Sequence, residues 1–159
     1  MRPTKYGKCK GGPWYGEDYQ RLIFERGASS CFPGLLGVTI TAGCNAGRSY
    51  RVTVNVPNYD PRNVHIIFKK NSPTIPRVRA DGPPDSKHRF FSGDLCMWYH
   101  KDPIEKQWLF EDGLAALLGY TVAHLFREAW FRETGEWLGP EVDHLQVESE
   151  SKYAGGRSW

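Results

Sequence analysis

The residue type best suited to chemistry in this chain is a thiol, Cys96, in the stretch Phe90-Phe91-Ser92-Gly93-Asp94-Leu95-Cys96-Met97-Trp98, with His88 just ahead of it and Trp108 beyond. Ser92-Gly93-Asp94 has the composition of a turn, so Cys96 stands where the chain leaves that turn, among large apolar side chains that would hold it still. The thiolate is the nucleophile. A cysteine with a pKa of roughly 8.5 is only a few per cent ionised near neutrality, yet sulfur is nucleophilic enough for a rigid, partly exposed thiol to need little help. The plain counterpart is a buried structural cysteine that packs like a small hydrophobe. Two other chemistries use the same residues. A cysteine protease would pair Cys96 with His100, His124 or His144, but such nucleophiles sit at helix N-termini, whereas Met97-Trp98-Tyr99 reads as extended. A metal site of His88, Cys96 and His100 has three ligands, no pairing motif and no fourth partner, so no metal is expected. No cofactor is expected either, since no Gly-x-Gly-x-x-Gly turn is present.

Bulk properties narrow the field. A chain of 159 residues, 40% hydrophobic and 14% aromatic, suits one globular domain with a single core. A net charge of +3 and a pI near 8.7 fall short of the lopsided charge that announces a nucleic-acid binder. Cys9, Cys31, Cys44 and Cys96 form no Cys-x-x-Cys pair, and the opening residues are polar with no apolar stretch behind them. Free thiols in a cytoplasm are therefore the expectation. The longest fairly apolar run, Leu114 to Phe126, is interrupted by Tyr120, Thr121 and His124 and is too short to cross a bilayer.

The elements that must position Cys96 follow from periodicity. Residues 1–13 read as a loose arm, 14–147 as one domain, and 148–159 as a polar tail. Tyr15, Tyr19, Leu22, Ile23 and Arg26 recur at spacings of three and four before Gly27, which predicts a short amphipathic helix lying against a sheet. Alternation then takes over. Leu36, Val38 and Ile40 mark one strand, Tyr50, Val52, Val54 and Val56 a second, Val64 to Lys69 a third, and Arg77-Val78-Arg79 a short fourth after Ser72-Pro73-Thr74-Ile75-Pro76. Short connections imply an antiparallel meander. Asp102-Pro103 with Glu105 has the form of a helix start. From about Asp112 to Glu133, Leu114, Leu117, Leu118, Thr121, Val122, Leu125, Phe126, Ala129 and Trp130 trace a core-facing stripe, with Glu111, Arg127, Glu128 and Arg132 turned away and Gly135 as the stop. The basic residues Lys69, Lys70, Arg77, Arg79, Lys87 and Arg89 flank the thiol and read as a solvated edge or a surface for an acidic partner.

A helix, a four-stranded antiparallel meander, an irregular crossing with a cysteine, then helices: this α+β layout resembles the ubiquitin-conjugating-enzyme-like fold. The local resemblance is carried by Tyr50-Arg51-Val52-Thr53-Val54-Asn55-Val56-Pro57-Asn58-Tyr59-Asp60-Pro61, similar to that family's strand ending in a Tyr-Pro turn, and by Gly93-Asp94-Leu95-Cys96, similar to its Gly-x-Ile/Leu-Cys signature. Trp108, Phe126-Arg127-Glu128-Ala129-Trp130 and Thr134-Gly135-Glu136-Trp137-Leu138-Gly139-Pro140-Glu141 with His144 are similar to the stand-alone bacterial members in cyclic-oligonucleotide anti-phage signalling systems (CBASS). Where the eukaryotic members carry the Asn of a His-Pro-Asn triplet, eight residues before the cysteine, this chain has His88, as the bacterial branch does.

The resemblance implies an enzyme, a ubiquitin-conjugating-like cysteine acyltransferase. Cys96 would take the C-terminal carbonyl of a partner, a cGAS-like nucleotidyltransferase (CD-NTase), as a thioester and pass it to a lysine of a protein substrate, priming the partner's signal synthesis. A chain of this length has no adenylating domain, so activation would fall to a separate activating enzyme. Two site residues follow, Cys96 as nucleophile and His88 beside it. His88 would donate to a developing oxyanion, act as general base toward the amine, or ease ionisation of Cys96; alternatively it locks the loop through the backbone. The alternative to an enzyme is a catalytically inactive protein-interaction module of the same fold.

Overall fold

Alternation of apolar and polar residues builds the centre of the molecule as a sheet. The computed structural model describes residues 13–43 and 46–139; the expected arm before Pro13, Cys9, Cys44, Glu141, His144 and the expected tail lie outside the described residues. Strands β1 (Leu36–Ile40), β2 (Gly47–Val54), β3 (Arg62–Lys69) and β4 (Ser72–Ala80) form one antiparallel sheet in sequence order. Tyr50, Ile66 and Val78 are directly opposed across three strands, as are Val52, Val64 and Ala80. The two-residue period puts them on one face. That face is the core: Tyr50, Val54, Ile66 and Phe68 are almost wholly buried.

Among the described residues three helices share that core, and the architecture is α+β with an N-terminal helix, a four-stranded antiparallel sheet and a C-terminal helix. Helix α1 (Asp18–Glu25) and the single turn α2 (Ala28–Cys31) precede it, and α3 (Gly113–Thr134) follows. Leu114, Leu117, Leu118 and Leu125 of α3 join the sheet's side chains in one cluster. Aromatic rings fill its centre: Phe24 stacks on Phe110 at 4.6 Å and meets Phe68 edge-on at 5.4 Å, with Trp14 and Trp108 alongside. Polar bonds tie α1 down, since Glu25 Oε2 accepts from the Tyr50 hydroxyl at 2.5 Å and from Arg48 at 2.6 Å. Gly37 lies opposite Tyr50, and a Cβ there would run into the Arg48 guanidinium and the Tyr50 ring, so β1 approaches only because the side chain is missing.

Three expectations change. The stripe expected to pack α1 on the sheet is mostly outward: Tyr19 is 65%, Leu22 64% and Ile23 48% exposed, and Phe24 is the buried residue. The physical reason is a break in register. Trp14 and Tyr15 occupy a separate 3-10 turn (Trp14–Gly16) followed by extended Glu17, so they do not continue the α1 face. The helix expected from Asp102-Pro103 is one 3-10 turn, Ile104–Lys106, after which buried Trp108 takes over and donates Nε1–H to the Gly113 carbonyl at 2.8 Å. Pro73 and Pro76 lie within β4 rather than merely ahead of it. Proline is tolerated there because β4 has a partner on one side only within the sheet.

The turn at 57–61 and the Gly135 stop behave as the sequence suggests. Asn58 (φ 68) and Gly135 (φ 81) take left-handed backbone. Among the described residues no helix is long and apolar enough to cross a membrane. Replacing Trp108, only 3% exposed, with Ala is expected to lower stability by about 3–5 kcal/mol, measured by urea unfolding.

Candidate functional site

Beyond β4 the chain must carry Cys96 back past the sheet, and it does so as a small hairpin. The Phe90 N–H donates to the Asp94 carbonyl at 2.9 Å, and the Gly93 N–H to the Phe90 carbonyl at 2.8 Å, a turn that puts Gly93 at φ 92. Arg89 and Leu95 bridge antiparallel, and the Cys96 N–H donates to the His88 carbonyl at 2.8 Å. The Leu95 N–H then donates to the Val78 carbonyl at 2.9 Å. The hairpin is thereby laid along the free edge of β4.

So few backbone bonds cannot hold a loop alone, and two buried carboxylates complete the attachment. Asp94, 1% exposed, accepts from Arg77 Nε at 2.8 Å and Arg79 Nε at 2.6 Å, both on β4. Glu128 of α3, fully buried, accepts from Arg89 Nε and Nη2, each at 2.8 Å. A guanidinium meets a carboxylate best in this two-pronged geometry. Arg89 also reaches the Gly93 carbonyl at 3.4 Å. One clamp fixes the hairpin to the sheet and the other to the long helix.

Burial pushes the Glu128 carboxyl up, but the Arg89 guanidinium and the neighbouring His124 outweigh it and hold the pKa down to about 2. His124 Nε2 is 3.2 Å from Glu128 Oε2, without the direction of a good hydrogen bond, and Arg132 completes the cluster at 3.8 Å.

Cys96 itself is half-buried and present as a thiol whose Sγ lies 4.0 Å from the Trp98 carbonyl. Its own N–H is committed to His88, so any oxyanion donor for a carbonyl carried on sulfur has to come from another group. The structure joins the two expected site residues through their backbones. His88 is a non-glycine in left-handed backbone, φ 60, and its ring centroid is 4.4 Å from that of Trp137. Trp137 in turn lies 5.5 Å from the ring of His124, which connects the hairpin to the buried Glu128 cluster. His124 is buried on α3 beside Glu128, and His100 neighbours Tyr99 at 5.0 Å. Among the described residues no group of three or more His, Cys, Asp and Glu is arranged to hold a metal ion.

Two readings of charge are corrected here. Glu128, expected to face away, is the most deeply buried charge of α3, and Arg77, Arg79 and Arg89 are bound to carboxylates rather than forming a solvated edge. The signal was in the spacing: Leu114, Leu117, Thr121, His124 and Glu128 step by three or four, which continues the core stripe into a charged residue. Comparison of the chain with protein-family models, curated proteins and solved structures finds no match.

Glu128 generates a pH expectation. Its folded pKa lies below the ordinary 4.5, so its contribution is complete above that value and is lost as pH falls toward 2. Thermal unfolding is expected to show a falling midpoint across that window, and Glu128→Gln should remove this part of the acid dependence. At pH 7 the same variant leaves Arg89 buried without its anion, with an expected loss of about 3–5 kcal/mol.

Proposed function

We propose that this chain is a ubiquitin-conjugating-like acyltransferase of the CBASS anti-phage type, with Cys96 as the nucleophile. What supports the reading is a half-buried thiol on a hairpin that two buried carboxylates lock to a sheet edge and a long helix, downstream of an N-terminal helix and a four-stranded antiparallel meander. A nucleophile held still but reachable from solvent is what attack on another chain's carbonyl demands.

In this reading the Cys96 thiol loses its proton, and sulfur attacks the activated C-terminal carbonyl of a cGAS-like nucleotidyltransferase. The leaving group departs to a separate activating enzyme or its nucleotide, and a thioester remains. A neutral lysine amine then attacks the same carbon. The C–N bond forms, the C–S bond breaks, the amine proton passes to solvent or a base, and the thiolate is regenerated. His88 acts as a positioning residue, its carbonyl orienting Cys96 and its ring seated on Trp137.

Intact-mass spectrometry of the chain co-expressed with such a nucleotidyltransferase tests the proposal. A thiol-labile adduct on Cys96 is expected, lost in Cys96→Ala and trapped as an oxyester in Cys96→Ser or an isopeptide in Cys96→Lys. Full transfer by folded Cys96→Ala would sink the assignment. Replacing His88 with Ala is expected to slow loading and transfer by the same factor; loss confined to the amine step would make its ring a base instead.

A non-catalytic interaction module of the same fold is the second reading. It is favoured by the outward stripe Tyr19, Leu22 and Ile23 on α1, apolar surface left exposed among the described residues. An unmodified Cys96 in a stable complex with the partner would select it.

A further inference from the structure

On the face of the sheet away from the core, one row of directly opposed residues reads Leu36, Arg51, His65, Arg79 across all four strands. Neighbouring strands lie about 4.8 Å apart, so the two arginines start roughly 10 Å from each other with the imidazole between them. Like charges placed in one cross-strand row repel, and among the described residues no carboxylate pairs with Arg51 to offset the repulsion. Among the described residues neither Arg51 nor His65 has a carboxylate partner, and only the Nε of half-exposed Arg79 is committed, to Asp94. The row lines a cleft of about 550 Å3 together with Thr53, Asn63 and Asp81. That is within the roughly 300–1,000 Å3 of small-molecule sites.

The carboxylate in the cleft does not neutralise the row. Asp81 accepts from the Asn63 N–H at 2.9 Å and its side-chain amide at 2.8 Å, and its remaining charge faces Arg62. Asp94, the nearest carboxylate beyond it, serves two arginines at once. Positive charge therefore stays in surplus at Arg51 and Arg79. It is also confined. The adjacent rows hold Val38, Ser49, Ile67 and Arg77 on one side and Thr53 and Asn63 on the other, and the cation among them, Arg77, is bound through Nε to Asp94.

We propose that this cleft binds the phosphate group of a small phosphate ester, with Arg51 and Arg79 converging on the oxygens, His65 beneath them, and the organic part lying along exposed Leu36. Guanidinium forks suit phosphate oxygens, and a neutral imidazole N–H adds a third donor. Burial, then Arg51, then Arg79 hold the His65 pKa below its ordinary value. A bound dianion reverses the effect of the two arginines, so the ligand and a proton on His65 favour each other. The cleft and the thiol hairpin share β4, through Arg79, but the proposal stands without acyl transfer.

The test is titration of the full chain with phenyl phosphate, inorganic phosphate and a phosphoserine peptide, read by NMR of the His65 ring and by calorimetry. Phenyl phosphate is expected to bind saturably at one site, more tightly than inorganic phosphate or the peptide, and to raise the His65 pKa. Arg51→Gln, an exposed position whose fold is checked by melting, should weaken it by about tenfold, the scale of one charged hydrogen bond. Lys70→Gln, the same charge change on the exposed β3–β4 turn, should leave it unchanged. An unmoved His65 titration, or equal weakening by the two substitutions, overturns the site. Tighter binding of the peptide or equal binding of inorganic phosphate overturns the small ester as its ligand.

Discussion

A carboxylate sealed inside a protein has to be answered by a cation, and the pairing of Glu128 with Arg89 turns that requirement into architecture. Glu128 belongs to the long C-terminal helix and Arg89 to the hairpin that bears Cys96, 39 positions earlier. Neither charge can be withdrawn from the other without leaving a buried ion alone, which costs far more than the pair contributes in net stability. The pair thus acts as a locating pin. It decides where the hairpin lies relative to α3, and with it where the thiol lies.

The second pin works from the opposite side. Asp94 sits two residues before the thiol and is gripped by two arginines of β4, while the Leu95 N–H bonds to that strand's free edge. An open sheet edge invites other strands. Here the hairpin covers part of β4, and Pro73 and Pro76 remove two donors from the same strand. Protection of the edge and presentation of Cys96 are one structural act. The same arginine that holds Asp94, Arg79, also closes the row on the outer face, and Arg77, two residues earlier on that face, holds Asp94 with it.

Periodicity carried much of the fold. Strands β2 and β3 alternate because one face of each is core and the other is not, whereas the alternating Leu36 and Val38 of β1 are exposed, and α3 keeps its stripe from Leu114 onward with a glycine stop where the helix ends. The pattern failed where the buried partner was not a simple surface. On α1, Phe24 was drawn into an aromatic cluster with Trp14, Phe68, Trp108 and Phe110, leaving Tyr19, Leu22 and Ile23 outside. Local spacing cannot anticipate a cluster whose members are distant in the chain.

By itself the sequence determined an antiparallel α+β scaffold, a turn ahead of Cys96, and the position of His88 close before it, because alternation, glycine placement and helical spacing act over a few residues. Only the tertiary structure decided that Arg89 meets Glu128, that Arg77 and Arg79 share Asp94, that the His88 carbonyl accepts the Cys96 N–H, and that Arg51, His65 and Arg79 fall into one row. Those outcomes depend on strand register and on how the helix crosses the hairpin. A charge's sign is written in the sequence, but its partner is selected by geometry among residues tens of positions away.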